Sequence, residues 1–153
     1  MMHRPKLKDK IYGEMFWEEW DEDEAYWYAP MENGTGESFS LLIRADAPTD
    51  FLAVGFTHST YGRIIENIPT ILDETVAEIM ENSRELFKKK RQQRSAGEVI
   101  KKNLRLFSIK IYSDLSAEVE FVGNVAENED PDEVFYALID TAGNLTEAGI
   151  SEL

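Results

Sequence analysis

An α+β fold, a mostly antiparallel sheet packed against one long helix and a short second one, is predicted by three observations. Alternating apolar and polar residues fill the first and last thirds of the 153-residue chain, the period of a half-buried strand. Between them apolar residues recur at three- and four-residue steps, the stripe of an amphipathic helix. Turn residues separate these segments, and no linker-like composition splits them. Strands, then helix, then strands, in a chain of one-domain length, predict a single α+β domain over residues 11–153. Residues 1–10, "MMHRPKLKDK", are expected to be a disordered or frayed basic terminus.

The N-terminal meander begins with residues 11–17, "IYGEMFW", which mix aromatic and aliphatic side chains. Residues 25–29, "AYWYA", are strand formers that stop at Pro30. In "MENGTGES", Asn33-Gly34 supplies the positive φ angles of a tight hairpin turn. Phe39, Leu41, Ile43 and Ala45 then alternate with Ser38, Ser40 and Arg44, with Leu42 as the exception. Residues 50–54, "DFLAV", fit either a fourth strand or the approach to a helix.

The helical stripe comprises Ile64, Ile65, Ile68, Ile71, Leu72, Val76, Ile79 and Met80, with Thr60 as a cap and Pro69 as a kink or a second start. Acids in its early turns and "KKKR" at 88–91 match the helix dipole. Ser95-Ala96-Gly97-Glu98 fits a capping box that opens a short helix to about Asn103. Phe107, Ile109 and Ile111 then alternate with Ser108 and Lys110. Beyond the "SDLS" turn, Ala117, Val119 and Phe121 alternate with Glu118 and Glu120. Residues 134–139, "VFYALI", are apolar on both faces, as a central strand is. "TAGN" turns the chain into a last segment, residues 145–150, and residues 124–133 form an acidic loop.

Composition bounds the chemistry. With no cysteine there is no disulfide framework, thiolate zinc site or cysteine nucleophile. No apolar run is long enough for a membrane span, and the first residues lack the apolar core of a secretory signal, so a cytoplasmic location is expected. The net charge of −14 is segregated: +3 over residues 1–10, −14 over 11–83, +7 over 84–105 and −10 over 106–153. Such an acidic body repels nucleic acid phosphates and attracts basic partners.

Specific catalytic and metal signatures fail one by one. Asp21, Asp23 and Glu32 have calcium-loop spacing, but Ala25 and Tyr26 stand where that loop needs an oxygen ligand and a glycine. His3 and His58 have no zinc-type partner. His58 beside Ser59 and Thr60 is the only nucleophile–base arrangement, and helix capping explains those hydroxyls better. "GTG" lacks a third glycine and a following helix. The basic run 88–94 has one aromatic neighbour, Phe87, too few for a stacking platform. No cofactor or metal is expected.

Residues 17–28, "WEEWDEDEAYWY", hold six carboxylates and five aromatic rings in twelve positions. The acids disfavour burial while the flanks favour strands, so "EEWDEDE" is expected to be an exposed hairpin connection. A tryptophan among those acids has the composition of a binding hot spot for a basic partner.

The segments "LRLFSIKIYSDLSAEVEFVG" and "DEVFYALIDTAGNLTEAGI" resemble the terminal hairpins of small uncharacterised bacterial α+β domains, in which a long helix precedes them. Ser113–Ser116 and residues 140–143 occupy the two turns, with Leu115 in place of the usual turn glycine. Some of these domains are associated with polymorphic-toxin loci as immunity proteins. The resemblance implies a fold and a class of role and carries over no functional residue.

The expectation is a non-enzymatic acidic binding protein, with an immunity or inhibitor role as its narrower form, that blocks a basic protein surface. Trp17, Trp20, Asp21, Glu22, Asp23, Tyr26 and Trp27 would form its face. A nucleic-acid mimic that occupies a basic groove and a carboxylate-dependent hydrolase are the alternatives. Direct nucleic acid binding and membrane association are not expected.

Overall fold

The computed structural model describes residues 5–32, 37–82, 104–123 and 133–151. Eight strands form one sheet in chain order: β1 (Lys6–Asp9), β2 (Gly13–Asp21), β3 (Glu24–Glu32), β4 (Ser38–Arg44), β5 (Arg105–Ile111), β6 (Ala117–Gly123), β7 (Glu133–Ile139) and β8 (Leu145–Ser151). Each half is an antiparallel meander, and the halves join through the parallel pair β4–β5. A parallel pair needs a long crossover. Helices α1 (Phe51–Phe56), α2 (His58–Glu66) and α3 (Ile68–Asn82) lie in it.

Side-chain alternation assigns the two faces. Trp17, Trp27, Ile43, Ile111, Ala117 and Ile139 lie in one cross-strand row and belong to the core with Val54, Ile64, Ile71, Val76 and Ile79 of the helices. The opposite row, Phe16, Tyr28, Leu42, Lys110, Glu118 and Leu138, faces away from them. The fold is α+β, an eight-stranded, mostly antiparallel mixed sheet with helices on one face.

Several elements differ from their sequence reading, each for a local reason. Residues 6–9, assigned to a frayed terminus, form β1 because Leu7 pairs with Met15 and packs against the core. The region read as one helix is broken at Asn67, whose side-chain amide donates to the Arg63 carbonyl at 2.8 Å. Pro69 follows as the second residue of α3, where a missing N–H costs nothing. Residues 50–54 enter a helix: the Asp50 carboxylate accepts from the Ala53 N–H at 3.2 Å and caps α1.

β3 runs through Pro30. The Ala45 N–H donates to the Ala25 carbonyl, so odd-numbered residues of β3 bond to β4 and even-numbered ones point toward β2. Pairing with β2 ends at Tyr28, so the missing N–H of Pro30 faces a local edge. In β5 a register shift between Leu106 and Ser108 turns Phe107 outward, 41% exposed, while Ser108 keeps its place opposite Ser40 and Glu120. The Asn33-Gly34 turn, the "KKKR" run, the short helix at 95–103 and most of the acidic loop at 124–133 lie outside the described residues.

Candidate functional site

The acidic stretch is the β2–β3 hairpin. Trp20 is its unpaired residue: pairing passes from Glu19↔Ala25 to Asp21↔Glu24 with a register shift between Glu19 and Asp21. A bulge of this kind bends a strand and re-aims a side chain. The Trp20 ring folds over Tyr26, centroids 4.7 Å apart, yet remains 50% exposed. Its indole N–H donates to Glu18 Oε2 at 3.0 Å. Lys110 Nζ, from β5, lies 5.0 Å from the Trp20 ring and 5.2 Å from the Tyr26 ring, a cation held on two π faces. Asp21, Glu22 and Asp23 are exposed at the tip, where Asp21 Oδ1 accepts from the Glu22 N–H at 2.7 Å.

Arg44 fixes the hairpin from the side of β4. Its Nη1 donates to the Ala25 carbonyl at 3.0 Å, its Nη2 donates to the Asp23 carbonyl, and its guanidinium lies 5.7 Å from the Tyr26 ring. Tyr26 is 2% exposed under this cover, and its hydroxyl donates to Glu24 Oε1. Burial pushes the Tyr26 phenol well above its ordinary range, and the hydrogen bond to Glu24 adds to the shift. It therefore stays a neutral donor at any physiological pH.

The seven residues singled out by sequence divide into three groups. Trp20, Asp21, Glu22 and Asp23 come together at the exposed tip. Tyr26 is the floor beneath Trp20. Trp17 and Trp27 are not on this surface: at 6% and 0% exposure they pack edge-to-face, 5.4 Å apart, on the helix side. Their odd positions in β2 and β3 carry them to the opposite face of the sheet from Tyr26. Lys110 and Arg44 were missed. Their signal was parity, since each is the cation at a polar position of an alternating strand.

No family model, curated protein or solved structure matches this chain.

The hairpin's own geometry thus carries the functional reading. Three of its glutamates accept from neighbouring rings, Glu18 from Trp20, Glu19 from Trp17 Nε1 at 3.0 Å and Glu24 from Tyr26, while on β6 Glu118 accepts from the Tyr112 hydroxyl at 3.0 Å and Glu120 from the Ser108 hydroxyl at 2.8 Å. Among the described residues no group of three or more His, Cys, Asp or Glu could hold a metal ion, and no helix is long and apolar enough to cross a membrane.

His58 sits elsewhere, at the start of α2. Its Nε2 meets both Asp9 carboxylate oxygens at 2.9 and 3.0 Å, and its ring stands edge-on to Tyr12 at 5.0 Å. Asp9 also accepts from the N–H groups of Ile11 and Tyr12, so the pair ties the β1–β2 turn to α2. Thr60, expected as a cap, is buried inside α2.

Proposed function

We propose that this protein is a non-enzymatic binding protein, of the kind that immunity and inhibitor proteins represent, whose acidic β2–β3 hairpin captures a basic protein surface. One observation carries the reading: Trp20 stands half exposed on a bulge, seated on Tyr26 and Lys110 and bonded to Glu18, next to the exposed tip acids Asp21, Glu22 and Asp23. A large ring held in one position loses little entropy on docking, and exposed acids steer a cationic partner toward it. A nucleic-acid mimic would rely on the carboxylates alone, and the indole at their centre favours a protein surface. Replacing Trp20 by Ala is expected to weaken partner capture by more than ~2 kcal/mol, the threshold of a hot spot. Unchanged affinity in that variant would remove the hairpin from the account.

A further inference from the structure

A cavity of about 230 Å³ opens where the parallel strands β4 and β5 end, between α1 and the β5–β6 turn. It lies beside the acidic hairpin, because Arg44 lines it while donating to the hairpin carbonyls of Asp23 and Ala25. Its size is below the roughly 300–1,000 Å³ of sites for drug-sized ligands and suits one long side chain.

The wall has an apolar half and an acidic half. Ala53, Phe56 and Leu115 form the first, and the Phe56 ring is 67% exposed. Leu115 is held at φ +70°, the left-handed conformation that glycine or asparagine ordinarily takes. An L-residue there carries strain of about 1–3 kcal/mol, and the outcome is a branched aliphatic group on the cavity wall. Asp46 and Asp50 form the acidic half. Asp46 has no hydrogen-bond or ion-pair partner among the described residues, and Asp50 commits one oxygen to the Ala53 N–H. Arg44 spends Nη1 and Nη2 on two carbonyls and lies against the Tyr26 ring but keeps its charge, so Arg44, Asp46 and Asp50 together leave the cavity wall net negative, the sign that favours a cation.

We infer that this cavity receives a single arginine side chain, its alkyl stem against Ala53 and Leu115, its guanidinium stacked on Phe56 and paired with Asp46 and Asp50. An aromatic face next to carboxylates suits a planar, weakly hydrated cation, and the aliphatic stem suits the apolar half. The assignment deepens the reading above and rests on it for naming a basic protein as the source of that side chain.

The test titrates the full ¹⁵N-labelled chain with N-butylguanidinium and, as a neutral isostere, N-butylurea. Saturable shifts at the amides of Asp46, Ala53, Phe56 and Leu115 are expected with the cation and not with the urea. Asp46→Asn combined with Asp50→Asn should weaken binding at least about fivefold. Asparagine at position 50 still caps α1, so that variant keeps its fold. If it does not, Asp46→Asn alone decides, with weakening of about twofold or more expected. Equal binding of the urea, no saturation, or unchanged affinity in the variants would each overturn the site. The hairpin reading fails separately: a partner captured through Trp20 by a chain that binds no butylguanidinium leaves the hairpin and removes the cavity. A butylguanidinium site on a chain that captures no basic partner does the reverse.

Discussion

Trp20 and Trp27 make opposite predictions although both belong to one aromatic-rich segment. Trp27 is fully buried against Trp17, with Phe51 of α1 at 6.5 Å. Its replacement by Ala should cost about 3–5 kcal/mol of folding free energy, measured by urea unfolding, through lost burial and the cavity left behind. Trp20→Ala should change stability by less than about 1 kcal/mol while abolishing partner capture. Asp9 sets an acid-side prediction. Burial raises its pKa, but the N–H groups of Tyr12 and Ile11 and the His58 ring outweigh burial and hold it below 3.8. The stability it contributes is present above 3.8 and is lost as pH falls through its lower, folded-state value. Urea midpoints followed from about pH 5 to about pH 2 should fall less steeply in Asp9→Asn than in the parent. The sequence announced the hot-spot composition but not which ring was which. Tryptophan and tyrosine occupy both parities of 17–28, and only the helices' choice of face makes the odd positions core. The bulge at Trp20 left no trace in residue type.

At the scale of elements, the turns were the most legible. In "TAGN", the Asp140 carboxylate accepts from the Ala142 and Asn144 N–H groups at 3.0 and 2.8 Å, and Gly143 adopts φ +91°. A Cβ at Gly143 would also come within 3.1 Å of Arg63 Nε. Gly143→Ala should therefore destabilise the protein by about 1 kcal/mol or more, read as a lower urea midpoint at unchanged slope. "SDLS" forms the corresponding turn before β6, with Leu115 where the sequence pattern wants glycine. Edges and breaks were less legible. "KLKD" holds one apolar residue in four, yet it pairs with β2 along its whole length, with Leu7 opposite the buried Met15 and Asp9 bonded to the turn and to His58. The Asn67 break hides inside an uninterrupted apolar stripe, because α2 and α3 both present that stripe to the same core. Phe107 fits its alternation on paper, and a bulge, a backbone event, turns it out.

For the whole molecule, the alternation of apolar residues was enough to give an α+β domain with strands at both ends. The order β1 to β8 in a single sheet was not readable, because the parallel contact of β4 with β5 joins strands far apart in the chain. Charge segregation along the chain becomes a spatial feature at the hairpin, where Asp21, Glu22 and Asp23 are exposed at the tip beside Trp20 and Glu18 accepts from its indole. Exposed acids are screened by salt over about 8–10 Å at physiological ionic strength, so capture of a basic partner should weaken as salt rises. Neutralising Asp21, Glu22 and Asp23 together should slow association more than it speeds dissociation, since exposed rim charges act mainly on the encounter.

Affinity capture on the immobilised full chain, from native lysate at low and high salt, with the parent and Trp20→Ala side by side, tests the central claim most directly. The account predicts basic proteins retained by the parent at low salt, released at high salt, and absent from Trp20→Ala. Retention of the same proteins by both chains would contradict it.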